Sequence, residues 1–466
     1  LPIKPHAPPP SRRDAPIGKL QLSLSAPVPD RHCLPVADET VWFGTVPHQP
    51  PLFEIEKRAP VDIRLRDDKK GDQIPKWTID DSLFAPRKKY SDSRSYWNST
   101  KTTLRSFELD WARMNQERFR VLINKEDDFG GDEEMLEVKD VLSRHRDLLY
   151  ATYMWYSTIN RAMDGYVLNN IAWTVFVNDC KIPDKDSPYC KTKDLDKLFI
   201  LQNVEEQNDY AAELNRINPD RALLRFEFFQ ILVRIAIEKF VRPGHIKDVS
   251  EALEKLLNDY VIPNVPNGAR IDTDTFRNYK VYTKECDDTL RKYLKSLKAI
   301  YAHFSAEIDD VRQRNSVMSA EEWIRFCYRS ELIDETFTKR EAHLCYVWSQ
   351  TFVTDEIRRR EKMIAAYFPD FLEALCRVTL FKAMPTDQEI FDKDVKTCSE
   401  FMQKLKQEGE LKTFNATNKV NWMVEQEEGR PIQDVLDKLL NLIVSRLDTD
   451  KTGSVEARDF RIAKET

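Results

Sequence analysis

The sequence predicts a mostly helical protein behind a proline-rich arm, and three observations support this. Only 11 glycines occur in 466 residues, whereas sheet-rich proteins need more glycine for their turns. Fifteen of the 24 prolines lie in the first 100 residues, where they favour extended chain and disfavour helix. From about residue 102 onwards, apolar residues recur with helical spacing. The predicted fold class is therefore all-α, preceded by an extended arm over residues 1–101.

Large aromatic residues give the arm a predicted role in binding. The arm shows no sustained helical or strand period and is too poor in apolar residues to fold alone. It nevertheless carries Trp42, Phe43, Phe53 and Trp77, and such aromatic residues are common anchors at protein interfaces. We therefore expect these four residues to contact a protein partner. The alternative is a disordered, solvating tail.

Composition and motifs narrow the function classes. A net charge of −6 gives no electrostatic reason to expect nucleic acid as a partner. No run approaches 18 consecutive apolar residues, so we expect no membrane span. The eight cysteines form no C-x-x-C pair and predict reduced core thiols in a cytoplasmic protein. Zinc-protease, Walker, dinucleotide and G-x-S-x-G motifs do not occur, which favours a non-enzyme.

The helical part contains two similar stretches about 145 residues apart. Each has an apolar helix, then a helix centred on Trp173 or Trp323, a third helix, and a closing Phe-x-x-x-Leu-x-Arg phrase that starts at Phe228 or Phe371. Such order predicts a duplicated helical module, although an unrelated pair of helix bundles remains the alternative. The predicted divisions after the arm are a helix and acidic linker (102–135), two modules (136–260 and 261–385) and a C-terminal module (386–466).

A loop near the C-terminus carries the most specific motif of the chain. A hard cation needs several oxygen ligands on one short segment, together with a glycine at the sharp turn. Gly453 stands at this turn position. The oxygen donors would occupy positions 1, 3, 5, 7, 9 and 12 of the loop: Asp448, Asp450, Thr452, Ser454 through its carbonyl, Glu456 and Asp459.

This loop makes the chain resemble the EF-hand superfamily, which implies Ca²⁺ or Mg²⁺ at one site. Position 12 departs from the family pattern, because Asp459 stands where a glutamate usually chelates with both oxygens. The shorter side chain should favour Mg²⁺ or weaken Ca²⁺ binding. In the two earlier modules the equivalent loops carry Arg216 and Arg359 at position 1, and a cation there opposes metal binding. The resemblance therefore predicts tandem degenerate EF-hand pairs of which only the last module keeps ligands.

The whole layout resembles the EF-hand-containing flagellum-associated proteins of ciliary axonemes. The residues that carry this resemblance are the closing phrases at Phe228 and Phe371 and the loop at Asp448. It implies a structural or adaptor role on doublet microtubules of the cilium or flagellum, with tubulin and other axonemal proteins as partners. The alternative is a calcium-sensing regulator whose last EF-hand controls partner binding. Basic clusters at 87–89 and 358–360 would suit an acidic microtubule surface, or are simply solvated.

Overall fold

The structure is a computed structural model, and it describes residues 77–114, 117–123, 131–159, 166–202, 222–305, 317–422 and 429–460. These residues are mostly helical, which confirms the predicted all-α class. Trp42, Phe43 and Phe53 lie outside the described residues. No helix in the described ranges is both long and apolar enough to cross a bilayer.

The N-terminal part of the described chain is a short strap (residues 77–99) followed by two helices. The strap contains a 3₁₀ turn, Ile79–Asp81, and helix α1, Arg87–Tyr90. Helices α2, Thr100–Met114, and α3, Glu117–Ile123, follow it. The strap was expected to be part of an extended arm, but it is folded against the rest of the chain. Its Phe84 and Arg87 side chains are fully buried, and helical periodicity carries no signal for so short a segment.

In the first module, two pairs of helices are joined by an antiparallel ladder of two-residue strands. In chain order its elements are α4 (Gly131–Ser157), β1 (Leu168–Asn169), α5 (Asn170–Asp179), α6 (Thr192–Gln202), β2 (Ala222–Leu223) and α7 (Arg225–Ala236). The strands are antiparallel, with Leu168 opposite Leu223. Asn169 caps α5 by accepting a hydrogen bond from the Ala172 N–H at 3.0 Å, which satisfies a helix-start donor.

Short helical segments connect the two modules. They alternate between α-helix and wider π-helical turns: Ile237–Val241 (π), α8 (Val249–Leu256), Leu257–Val261 (π), α9 (Ile262–Asn264), Asn267–Arg270 (3₁₀), α10 (Thr273–Phe276), Arg277–Val281 (π) and α11 (Lys284–Lys292). Gly268 is required in this stretch because a Cβ there would lie 2.1 Å from the Trp155 ring.

The second module repeats the order of elements seen in the first. These elements are α12 (Leu294–Phe304), β3 (Met318–Ser319), α13 (Ala320–Arg329), α14 (Lys339–Ser349), α15 (Arg360–Met363), β4 (Ala365–Ala366) and α16 (Phe368–Val378). Here too the strands are antiparallel, with Met318 opposite Ala366. Ser319 and Glu322 form a capping box that starts α13.

The same aromatic contacts recur in the two module cores. In the first module, Phe176 lies between Tyr156 and Phe228 with ring centroids 5.2 and 5.3 Å away. In the second module, Phe326 lies between Phe304 and Phe371 at 5.5 and 5.6 Å. All four contacts are edge-to-face, the geometry that the charge distribution of aromatic rings favours. Both closing phrases therefore put their first phenylalanine into the same place in the core.

The C-terminal part packs on the second module. Its helices are α17 (Asp387–Asp392), α18 (Cys398–Glu408), α19 (Leu411–Thr417) and α20 (Ile432–Leu447). The apolar face of α20, including Leu436, Leu439 and Leu440, is fully buried in the same hydrophobic core as the second module. The described cysteines are all buried free thiols, as predicted.

Candidate functional site

Four loops of the chain close with the same hydrogen bond. In each one a carboxylate accepts the backbone N–H of the residue three positions before it, at 2.6 to 2.9 Å. The acceptor–donor pairs are Glu227 with Leu224, Glu322 with Ser319, Asp370 with Tyr367, and Asp459 with Glu456. Each of these carboxylates is thus a helix-capping group.

The loop before α16 is neutralised by an arginine from the strap. Arg87 Nη2 donates to Asp370 Oδ1 at 2.7 Å and to the Ser349 carbonyl at 3.0 Å, and Arg87 Nη1 donates to Glu373 Oε2. Tyr90 Oη also donates to Asp370, at 3.0 Å. Arg87, Asp370 and Glu373 are all within 2% of full burial. A guanidinium therefore holds the position-12 carboxylate from the side of the strap.

Glu373 is the centre of a buried charge network one turn further along α16. Its carboxylate accepts from Arg277 Nε at 2.8 Å and from Arg377 Nε at 2.8 Å, besides the bond from Arg87. Burial opposes ionisation of Glu373, but the three guanidinium groups outweigh it and lower the pKa to about 2. Arg377 is the arginine of the second closing phrase. This phrase therefore contributes a charged side chain to the network as well as apolar side chains to the core.

Further contacts hold the strap along the second module. The Tyr90 and Tyr367 rings stack at 4.1 Å. Asp92 accepts the Thr354 N–H at 2.9 Å and pairs with Arg359 at 2.7 Å and with Lys362. Arg359 belongs to the basic cluster at 358–360 that was expected to be solvated or to face a microtubule, and Lys362 lies beside it. In the structure these two cations are paired within the chain.

The C-terminal loop keeps the backbone geometry of an ion-binding loop. Gly453 has φ of +82°, as its position-6 role requires. Asp448 Oδ2 accepts the Gly453 N–H at 2.6 Å, and Asp448 Oδ1 accepts the Thr452 N–H at 3.0 Å. The Thr452 hydroxyl donates to the Ser454 carbonyl at 2.9 Å. The predicted donors at positions 1, 5 and 7 therefore lie around one turn.

Cations of the chain pair with two of the other predicted donors, Glu456 and Asp450. Glu456 pairs with Lys295 of α12 at 2.6 Å, and this bond lowers the pKa of Glu456. Asp450 lies 3.4 Å from Arg458. No three carboxylates of residues 448–459 bring an oxygen each within 4.8 Å of one another. The donor types suit a divalent cation, but in this arrangement the loop does not bring three of its carboxylates together.

The C-terminal loop packs on the second module. The Val455 N–H donates to Ser296 Oγ at 3.0 Å, and the Val455 side chain is fully buried. Phe460 stacks on His303 with ring centroids 3.9 Å apart and a 4° angle between planes. Helix α12 therefore contacts the C-terminal loop at Val455 and again at Phe460.

Trp77 is the only predicted arm anchor within the described ranges. It is half-buried, and its Nε1 donates to Asp287 Oδ2 of α11 at 3.2 Å. The Leu83 N–H donates to the other oxygen of Asp287 at 2.8 Å. Trp77 thus contacts its own chain, and its role towards a partner stays a prediction.

One acidic cluster gathers three carboxylates in the described ranges. Oxygens of Glu134, Glu137 and Asp248 lie within 4.8 Å of one another. Glu134 accepts the Val249 and Ser250 N–H groups at 2.8 Å each, and Asp248 caps α8. The Glu134 and Asp248 carboxylates therefore act as hydrogen-bond acceptors at the start of α8.

Sequence reasoning missed the roles of three residues that organise the second module. Glu322 closes the first loop of the module, and Arg87 and Glu373 form the buried ion pair. The signal for Glu322 was present, since Ser319 precedes it by three residues in the pattern of a capping box. Nothing in the sequence indicated that Arg87 meets a helix 283 residues later.

Comparisons with known proteins give no relative for this chain. No family model, no curated protein and no solved structure matches it.

Proposed function

We propose that this chain is a non-enzymatic structural adaptor built from degenerate EF-hand-like pairs. The observation that carries the proposal is the buried contact between Arg87 and Asp370. A guanidinium contacts the carboxylate that would take part in ion binding in a functional loop. A module that is neutralised by its own side chains has no need of an ion to fold.

The arrangement of elements supports the EF-hand-like part of the proposal. Both modules consist of two helix–loop–helix pairs whose loops meet in a two-residue antiparallel ladder. Four loops share the closing bond between positions 12 and 9. These features match what the sequence resemblance implies for paired hands that have lost their ligands.

The proposed place of action is the ciliary or flagellar axoneme, with tubulin and neighbouring axonemal proteins as partners. This proposed location rests on the resemblance in the sequence. Within the chain, Arg87 is buried and Arg359 is paired with Asp92, so these basic residues are already used internally. We therefore assign microtubule binding to the arm, with Trp42, Phe43 and Phe53 as its anchors.

Cosedimentation of the full chain with polymerised microtubules tests this function. The adaptor is expected to pellet with microtubules equally in a chelator and in micromolar free Ca²⁺. A Trp42→Ala/Phe43→Ala variant should stay in the supernatant, whereas a Lys88→Met/Lys89→Met control should still pellet. Failure of the unaltered chain to pellet under both conditions would contradict the microtubule assignment.

A calcium-sensing regulator is the second candidate, and one observation favours it. The C-terminal loop keeps the turn at Gly453 and the backbone hydrogen bonds to Asp448. Ca²⁺ or Mg²⁺ at this loop would be held by Asp448, Asp450, Thr452, Ser454, Glu456 and Asp459. Under this alternative, the fraction of the full chain bound to a partner would differ between a buffer with chelator and one with micromolar free Ca²⁺.

A further inference from the structure

An exposed, positively charged patch surrounds Trp97 in the strap. Trp97 is 42% exposed, whereas the other tryptophans that the structure describes are buried or half-buried. The side chains of Lys88, Lys89 and Arg94 are exposed as well. We call these four residues the Trp97 patch. An exposed tryptophan beside an arginine is typical of protein-binding surfaces.

Short contacts hold the members of the patch close together. The Lys88 ammonium lies 5.4 Å from the centroid of the Tyr96 ring, and this centroid lies 6.2 Å from that of the Trp97 ring. Arg94 Nη1 donates to the Lys89 carbonyl at 3.0 Å. Arg94 also has a φ of +54°, which is uncommon for a residue other than glycine. The fold therefore keeps this local arrangement in spite of an unfavourable backbone conformation.

The backbone that carries the patch is fixed by contacts with the rest of the chain. Tyr96 is buried, and its carbonyl accepts a hydrogen bond from Tyr282 Oη at 2.6 Å. The Asn98 N–H donates to Asp274 Oδ2 at 2.7 Å. A surface that is ordered before binding loses less conformational entropy when a partner binds.

The patch is positive although the whole chain has a net charge of −6. Residues 87–105 contain six lysines and arginines but only one acidic residue, Asp92. Asp92 is already paired with Arg359 at 2.7 Å, so it does not neutralise the patch. No ion pair joins Lys89 or Arg94 to an acidic residue in the part of the chain that the structure describes. These two charges are therefore available to a negatively charged partner.

An acidic neighbour of the patch indicates a narrow partner. Asp80 is 63% exposed and lies 3.3 Å from Lys88. An anionic bilayer or a nucleic acid presents a continuous array of phosphates, which would bring negative charge against Asp80. A peptide can instead place its carboxylates at Lys89 and Arg94 and an apolar side chain on the Trp97 ring. The charges of the patch are thus complementary to those of an acidic peptide.

We propose that the Trp97 patch binds an acidic peptide segment of a second protein. Carboxylates of the segment pair with Lys89 and Arg94, and an apolar side chain packs on Trp97. The proposal rests on the proposed adaptor function and extends it. Microtubule binding is assigned to the arm, and the patch supplies a second surface that connects another protein to it.

Fluorescence anisotropy of a labelled peptide, titrated with the full chain, tests the proposal. The probe is a short peptide of glutamates around a central leucine, and the control peptide has glutamines in place of the glutamates. The glutamate peptide should bind at low salt, and added salt should weaken its binding because exposed charges are screened. Equal binding of the two peptides would overturn the proposal.

A matched pair of charge reversals locates the binding surface. Lys89→Glu/Arg94→Glu should weaken binding of the glutamate peptide at least several-fold. Lys185→Glu/Lys191→Glu reverses two exposed charges of the first module and should leave the affinity unchanged. Trp97→Gln keeps every charge and should also weaken binding, because the leucine loses its packing surface. Equal losses in the two double variants would overturn the proposal, since net charge alone would then explain binding.

Microtubule cosedimentation separates this proposal from the proposed function. Lys89→Glu/Arg94→Glu should still pellet with microtubules, and loss of pelleting would overturn the assignment of the patch to a second protein. An unaltered chain that binds the glutamate peptide without pelleting would contradict the role of the arm and leave the patch proposal standing. Tighter binding to phosphatidylserine vesicles or to single-stranded DNA than to the peptide would overturn the patch proposal.

Discussion

Arg87 and Asp370 are 283 residues apart in the sequence, and Arg87 Nη2 donates to Asp370 Oδ1 at 2.7 Å in the interior. The pair joins the strap to the last helix of the second module. Arg87 also contacts Glu373, which is shared with Arg277 and Arg377, so Asp370 is the carboxylate that depends most on Arg87. The strap thus supplies the guanidinium that pairs with Asp370 near the start of α16.

Arg87→Met should destabilise the protein strongly. Removing one partner of a buried ion pair leaves an uncompensated charge and costs about 3–5 kcal/mol. Urea unfolding of the full chain measures this loss. Lys88→Met is the matched control, because Lys88 is half exposed and its side chain pairs with an exposed Asp80. A loss for Arg87→Met no larger than that of the control would show that the strap contact is unimportant.

The contacts of Asp92 predict a loss of stability in acid. Burial opposes ionisation of Asp92, but hydrogen bonds from Lys362 and Thr354 outweigh it and lower its pKa to about 2. An unfolded aspartate has a pKa of about 3.9. The stabilisation, of about 2 kcal/mol, is thus present above pH 4 and lost as the pH falls towards 2.

Unfolding free energies measured from pH 5 to pH 2 check this expectation. Asp92→Asn should flatten the pH dependence in that window, whereas Asp288→Asn, which alters an exposed carboxylate, should leave it as steep as in the unaltered chain. Equal slopes for Asp92→Asn and the unaltered chain would mean that Asp92 is not held in its ionised form by the fold.

The two module tryptophans provide a matched pair of substitutions. Both are fully buried, but Trp323 Nε1 donates to the Ala342 carbonyl at 2.8 Å, while Trp173 Nε1 has no partner among the described residues. Trp323→Phe should therefore cost about 1 kcal/mol more than Trp173→Phe. Chemical unfolding of the two variants gives this difference. The reverse order would contradict the hydrogen-bond assignment.

Much of the fold could be predicted from the sequence, because helices and turns depend on residues close together in the chain. Helices were predicted from the spacing of apolar residues, and the equivalence of Phe228 and Phe371 from the closing phrases. The turn at Gly453 followed from the residue type that a positive φ requires. The strap could not be predicted, because Arg87 is placed by charges on distant helices. The pairing of Glu456 with Lys295 is likewise a tertiary contact that no local sequence pattern predicts.

Lys295→Met should strengthen divalent-ion binding at the C-terminal loop. The lysine pairs with Glu456 and competes with any cation for that carboxylate. Isothermal titration of the full chain is expected to show several-fold tighter Ca²⁺ or Mg²⁺ binding than in Lys298→Met, which changes an exposed lysine on the same helix. The gain should vanish when Asp448→Asn is added. Unchanged affinity would show that Lys295 does not control the loop.

Thermal unfolding of the unaltered full chain, with a chelator and with micromolar free Ca²⁺, tests the central claim most directly. If the chain's own cations neutralise its loops, the two melting curves should coincide. A rise of several degrees in the melting temperature with Ca²⁺ would mean that a bound ion stabilises the fold. That result would contradict the ion-independent adaptor and favour the sensor.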